Sequence, residues 1–198
     1  MSKTYICKPN VMLIAKTKPV GIDVPIQQLQ TFIHEQLVEK WELDDTDYKC
    51  HGRCYKNKTD DGYIAEVYKG GNEAGKKDYE EVYWNDRLTA ISFFGISDNI
   101  DTEIQNTVNI HLVFFVNIKK LKPAIAHRAD EEVRQDVQRL IGSNLFGFQF
   151  ASIDLWLENV LKEYPGSRRS DGLKAVDMHP IHCFRFNFSL SYDSNIIC

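Results

Sequence analysis

Residues 108–118 read Val-Asn-Ile-His-Leu-Val-Phe-Phe-Val-Asn-Ile, and this run decides the fold. Alternate positions along an extended strand point to opposite faces of a sheet. One face of this strand carries Val108, Ile110, Leu112, Phe114, Val116 and Ile118, and the other carries His111, Val113, Phe115 and Asn117. Because the middle of the strand is apolar on both sides, it lies at the centre of its sheet or has one face covered by a neighbouring subunit.

The surrounding sequence shows the same period of two. Short runs rich in Tyr, Val, Ile, Phe and Thr are separated by Asp-Gly, Gly-Gly and Asp-Asn, which is typical of strands joined by turns. The turn Thr59–Gly62 is compatible with a hairpin. Phenylalanines alternate with Arg185, Asn187 and Ser189 near the end of the chain. This pattern predicts a strand with one buried and one solvent-exposed face. The predicted strands are Tyr48–Tyr55, Tyr63–Tyr68, Tyr79–Trp84, Leu88–Phe94, Val108–Ile118 and Cys183–Tyr192.

Three segments have the spacing of amphipathic helices. Apolar residues recur every three or four positions from Ile26 to Trp41, after a cap-like Asp23 and a proline in the first turn. A second helix is predicted from about Arg128 to Ile141, with Gly142 ending it. A shorter one is predicted over Ser152–Tyr164, where Leu155, Trp156, Val160 and Leu161 form the apolar side.

This order of elements predicts an α+β fold in which helices pack on one face of an antiparallel sheet. We expect a single domain over residues 1–198. It would carry an N-terminal extension at about 1–22 and a polar hairpin excursion at 69–78.

The composition is that of an ordinary folded protein, with 43% apolar and 26% charged residues. Against 24 Lys and Arg there are 28 Asp and Glu, so the net charge of −4 argues against a basic nucleic-acid clamp. No apolar run approaches the roughly 20 residues of a membrane-spanning helix. The 5 cysteines are an odd number behind no recognisable secretory leader, which favours free thiols in a reducing compartment.

Motifs that carry chemistry are scarce. The sequence contains no phosphate-binding glycine loop, no nucleophile elbow and no His-Glu-x-x-His helix. Thiolates and imidazoles at Cys50–Cys54 and His179–Cys183 have the chemistry of zinc ligands, but their spacing is poor. Buried thiols and exposed histidines at strand ends are the simpler interpretation. We therefore predict no catalytic, cofactor-binding or metal-binding residues, and no enzyme.

The remaining polar clusters have simple structural interpretations. The acids Asp44, Asp45, Asp47, Asp60, Asp61 and Asp86 have the ligand chemistry of a magnesium site, but they stand among turn-forming residues and are expected to be solvated. His111 is expected to be a satisfied core or interface histidine rather than a base. The basic groups Lys76–Lys77, Lys119–Lys122 and Arg168–Arg169 are expected on a solvated rim, with a phosphate contact as the alternative.

The chain resembles neck proteins of tailed bacteriophages. The resemblance spans Ile22 to Asp193 and lies in the order of elements. It includes the central strand, the Lys119–Pro123 link into the helix around Ala129–Val137, and the amphipathic last strand. More narrowly, the chain is similar to the tail-terminator-like or head–tail connector ring proteins, including those of crAss-like phages of gut Bacteroidetes.

This resemblance implies a structural virion protein that is made in the host cytoplasm. Such a protein forms a closed ring of six or twelve copies between portal and tail, where the DNA passes through the channel without sequence-specific binding. Its partners would be its own copies and the adjacent portal, neck or tail proteins. Residues 69–78 and the loop 95–106 would reach the neighbouring subunit.

Two other functions stay open at this stage. The chain has the composition of a soluble, non-catalytic α+β binding module, and the cysteines and histidines leave a zinc-binding protein as a weaker alternative. The aromatic content of 12% favours an interaction role, since aromatic side chains dominate the energy of buried contacts.

Overall fold

The structure, a computed structural model, describes residues 13–16, 18–44, 46–68, 79–101, 106–125, 129–143, 146–168 and 179–192. The predicted excursion at 69–78 therefore lies outside the described residues. The strands are β1 (Leu13–Ile14), β2 (Tyr48–Thr59), β3 (Gly62–Tyr68), β4 (Tyr79–Glu81), β5 (Ala90–Asp101), β6 (Asn106–Asn117), β7 (Phe148–Asp154) and β8 (Ile181–Tyr192). The helices are α1 (Asp23–Lys40), α2 (Ile118–Leu121), α3 (Asp130–Ser143) and α4 (Leu157–Val160), followed by a 3-10 turn at Pro165–Arg168.

The strands form one eight-stranded sheet in the order β4-β3-β2-β5-β6-β8-β7, with β1 beside β2. Most neighbours are antiparallel, but β2 runs parallel to both β5 and β1. The predicted hairpin is confirmed, because Thr59 pairs with Gly62 across the β2–β3 turn. The sheet is therefore mixed rather than purely antiparallel, as expected where β2 and β5 are joined by a long connection instead of a hairpin.

β6 is the central strand, flanked by β5 and β8, as its two apolar faces predict. Leu112 and Phe114 belong to a large core under α1 and α3, while Val113 and Phe115 belong to a second core on the other face. Both faces are thus covered within one chain. The double apolar pattern of β6 is explained by this burial and needs no neighbouring subunit.

Helices lie on both faces, so the prediction that they pack on one face is wrong. α1 and α3 cover the first core, and α4 covers the second through Leu157, Val160 and Leu161. This also explains why β8 is not wet on its second face: Cys183 and Arg185 are buried there.

Several predicted boundaries change. Ser152–Tyr164 is not one helix, because its first residues end β7 and only Leu157–Val160 is helical. Gly142 lies within α3 rather than ending it. Most of the predicted loop at 95–106 is strand, since β5 continues to Asp101 and β6 begins at Asn106.

The described residues of the predicted N-terminal extension include the short strand β1. β1 pairs with β2 before α1 begins. Asp23 makes no capping hydrogen bond, since the residue that precedes the helix is Ile22. Asp23 instead forms ion pairs with Lys16 at 2.5 Å and with Arg53 at 2.8 Å, which tie the entry of α1 to β2.

Candidate functional site

A polar cleft of about 330 Å³ lies on the second face of the sheet, between β7, β8 and the segment after α4. Its deepest charged group is the Arg185 guanidinium, which is only 4% exposed. Other polar groups that line it are Ser97, Asn109, His111, Ser152, Asp154, Lys162, Glu163 and Asn187. This is the arrangement that most resembles an active site among the described residues.

The donors of Arg185 are nearly all used within the chain. Its guanidinium forms a two-pronged ion pair with Glu163, donates to Asn187 Oδ1 at 2.6 Å and reaches the Val160 carbonyl at 3.5 Å. Only one of the five N–H groups of an arginine is left over. Asn187 in turn donates to Asp154 Oδ2 at 2.9 Å. The network therefore holds β7, β8 and the α4 segment together, and it has little capacity left for a substrate.

His111 is buried as predicted, but it is not satisfied. It is 2% exposed, and its Nε2 atom has no hydrogen-bond partner. The ring lies over Gly95, where any Cβ would stand 2.0 Å from Nε2 and 2.4 Å from the Tyr164 hydroxyl. Burial, and then the nearby charges of Arg185 and Lys162, hold the pKa of His111 well below its usual value. A histidine with so low a pKa is neutral at physiological pH and is a weak general base.

The two cysteines of β2 do not face one another. The pairing register of β2 shifts between Cys50 and Arg53, and an irregularity of this kind changes which face the following side chains take. Cys50 consequently lies in the first core and Cys54 in the second. Burial raises the pKa of Cys50 to about 11 and that of Cys54 to about 12, so both are protonated thiols rather than metal-binding thiolates.

The other predicted zinc ligands are also separate. Cys183 is buried in the second core, while the His182 ring contacts Phe184 and His179 is exposed. Within the described ranges, no three His, Cys, Asp or Glu side chains come together in a way that could hold a metal ion.

The described acidic and basic clusters lie mainly at turns and on the surface. Asp60 and Asp61 form the exposed β2–β3 turn, and Asp47 accepts a hydrogen bond from the backbone of Asp44. Lys120 reaches the carbonyl of Asp86, and Lys122 pairs with Glu132 at 2.8 Å. Asp45, Lys76–Lys77 and Arg169 lie outside the described residues, and Arg168 ends the 3-10 turn.

One end of the sheet carries an exposed apolar surface, here called the β7 edge. β7 pairs with β8, and no other described strand pairs with its far side. Phe150 is 46% exposed, and Leu155 and Trp156 follow at 45% and 70%. Sheet edges are usually protected by lysine, proline or inward charges. Phe148–Ile153 contains none of these. The protective features of β7 are Asp154 at its end, which contacts Asn187 and Arg185, and a register shift between Phe150 and Ser152.

The opposite end, the β4 edge, is chemically different. β4 pairs only with β3 among the described strands, and Tyr79 and Tyr83 are 40% and 43% exposed there. Beside this edge, Tyr55, Glu66, Tyr68, Tyr79 and Glu81 form the outer face of β2, β3 and β4, here called the tyrosine face. Sequence patterns missed both edges and this face, because strand pairing, which is non-local, decides which residues become neighbours.

Comparisons with known proteins give no family assignment. The chain matches no protein-family model, no curated protein and no solved structure at a significant level. None of the described helices combines the length and the apolar character needed to cross a bilayer. The functional inference therefore depends on the geometry of the described residues.

Proposed function

We propose that this protein is a structural subunit that assembles with copies of itself into a closed ring, as tail-terminator-like head–tail connector proteins of tailed phages do. In the virion such a ring would sit in the neck, bind the adjacent portal, neck or tail proteins, and let DNA pass through its channel. Catalysis has no part in this function.

The observation that carries the proposal is the difference between the two open ends of the sheet. An assembly closes into a ring when one surface of a subunit binds a different surface of the next. The β7 edge offers phenylalanine, leucine and tryptophan, whereas the β4 edge offers tyrosines. Pairing of these two edges would continue the sheet from one copy into the next and would cover apolar surface that water now contacts.

The polar cleft supports this assignment indirectly. Arg185 in the cleft is bound by Glu163 of the same chain, and His111 stays neutral. The polar groups of the cleft therefore stabilise the fold. These contacts of Arg185 join β8, the strand next to β7, to the α4 segment. A rigid edge strand loses little conformational entropy on pairing, which favours assembly.

Light scattering of the purified protein tests the proposal. We expect the mass to correspond to a closed oligomer, and we expect Trp156→Ala to weaken association by about 2 kcal/mol, or roughly thirtyfold, as for an aromatic hot spot. Ile100→Ser is the matched control, because Ile100 is 44% exposed on β5, which lies three strands from either end of the sheet. A monomer at every concentration, or a dimer unaffected by Trp156→Ala, would contradict the proposal.

A non-catalytic binding module is the second candidate. The tyrosine face favours it, since Tyr79 is exposed beside the half-buried Tyr55 and Tyr68, and tyrosines are enriched at surfaces that bind protein partners.

A further inference from the structure

We propose that the tyrosine face docks a basic segment of a partner protein, one that presents arginine or lysine side chains. This binding uses side chains on the face of β2, β3 and β4, whereas ring closure would use the main chain at the β4 edge. Tyr79 borders both surfaces, and Glu66 and Glu81 belong to the face. In a ring, it would be available to a protein stacked above or below.

Two opposed carboxylates lie at the centre of this face. Glu66 of β3 stands directly opposite Glu81 of β4 in the antiparallel register. Side chains in such positions have Cβ atoms about 5 Å apart, and like charges there are destabilising. Both side chains are half-buried, and neither forms a hydrogen bond or ion pair with any residue that the structure describes. A cation placed between them would relieve the repulsion and pair with both.

Aromatic rings border the acid pair. Tyr55 stands directly opposite Glu66 on the other side, and Tyr68 stands opposite Tyr79. Tyr79 contacts both Tyr55 and Tyr68 edge to face, with 5.7 Å between ring centroids in each case. The faces of such rings attract ammonium and guanidinium groups. Carboxylates and tyrosines together therefore select a cationic side chain over a neutral or acidic one.

The chain already shows this chemistry at one margin of the face. The Arg53 guanidinium lies 4.8 Å from the Tyr55 ring centroid and donates to its hydroxyl at 2.8 Å. Lys16 approaches the same ring at 5.9 Å. Both cations form their ion pairs with Asp23, which leaves Glu66 and Glu81 uncompensated. Among the described residues no cation pairs with Glu66 or Glu81, so this face is complementary in charge to a basic segment.

The test is binding of a fluorescently labelled arginine–glycine repeat peptide to the full chain, followed by anisotropy at moderate ionic strength. We expect Glu66→Gln combined with Glu81→Gln to weaken binding about tenfold. Tyr79→Ala should weaken it about fivefold through the lost cation–aromatic contact. An acidic peptide of equal length should not bind.

The matched control combines Glu35→Gln with Glu39→Gln. These two exposed glutamates are neighbours on α1, so the control removes the same charge from another acid pair. We expect it to change affinity less than about twofold. Equal weakening by both double variants, unchanged binding in Tyr79→Ala, no binding of the peptide to the unmodified chain, or displacement of the peptide by Mg²⁺ or Ca²⁺ would overturn the proposal.

Discussion

Arg185 is the residue on which the second face of the sheet depends most. Its side chain is 5% exposed and is held by Glu163, which is 18% exposed, with Asp154 at 3.6 Å. Taking one partner from a buried ion pair leaves the other charge desolvated and unpaired, which costs more than the pair itself contributes. The sequence predicts a solvent-exposed position for Arg185, because apolar and polar residues alternate along β8. No local pattern shows that α4 covers the polar face of this strand.

Replacing Arg185 by methionine tests this bracing. Methionine keeps most of the side-chain volume but leaves the buried Glu163 carboxylate without its ion-pair partner. We therefore expect a loss of about 3 kcal/mol in the free energy of unfolding. Denaturant unfolding monitored by circular dichroism measures it. Adding Glu163→Gln to Arg185→Met should restore part of the loss, since the stranded charge is then removed. If Arg185→Met unfolds at the denaturant concentration of the unmodified chain, the bracing role is wrong.

His51 gives the protein a sensitivity to acid. It is 2% exposed, and burial, followed by the charge of Lys49, lowers its pKa to about 3. In the unfolded chain a histidine has a pKa of about 6.5. The unfolded state therefore binds a proton between these two values and the folded state does not, so stability falls as pH falls through this window.

The variant His51→Gln should be less sensitive to acid. We expect the unmodified chain to lose up to about 1.4 kcal/mol per pH unit through this residue between about pH 6.5 and pH 3, and the variant to lose correspondingly less. Unfolding free energies measured at pH 7 and pH 4.5 give the comparison. Identical losses in the two proteins would show that His51 is not buried in its neutral form.

At the scale of elements, two glycines that appear alike in the sequence have opposite roles. Gly62 closes the β2–β3 hairpin with φ of +114°, and a Cβ there would also stand 3.1 Å from the Pro165 ring. Gly142 lies inside α3, where a Cβ would meet nothing within 4 Å. The first position needs glycine, whereas the second is weakened by it.

Substitution by alanine should separate these roles. We expect Gly62→Ala to lower the unfolding free energy by about 1–2 kcal/mol and Gly142→Ala to raise it by about 0.5–1 kcal/mol. Thermal unfolding of the two variants beside the unmodified chain measures both shifts. A gain in stability from Gly62→Ala would mean that the hairpin does not have this turn.

The elements that sequence patterns predicted are those with a buried face. α1, β6 and β8 were located because burial imposes a period of 3.6 or 2 on their apolar residues. β7 was missed because four of its residues, from Gln149 to Ser152, are exposed, so no alternation marks it. Leu155 and Trp156 were assigned to a helical apolar side for the same reason, since a local pattern does not distinguish an exposed apolar residue from a buried one.

For the whole molecule, the structural basis of self-association differs from the one that the sequence suggests. The sequence placed it in β6, whose two apolar faces are covered within the chain. It now lies at the two ends of the sheet, where β4 and β7 pair with no further described strand and aromatic side chains are exposed. Nucleic-acid binding and catalysis receive no such support from the described residues.

Electron microscopy of the purified protein tests self-association through the β7 and β4 edges most directly. We expect closed rings with a central hole in the unmodified chain and in Ile100→Ser, and separated subunits or open arcs in Trp156→Ala. Isolated particles of monomer size in the unmodified chain, across the concentrations at which the protein stays in solution, would contradict the account.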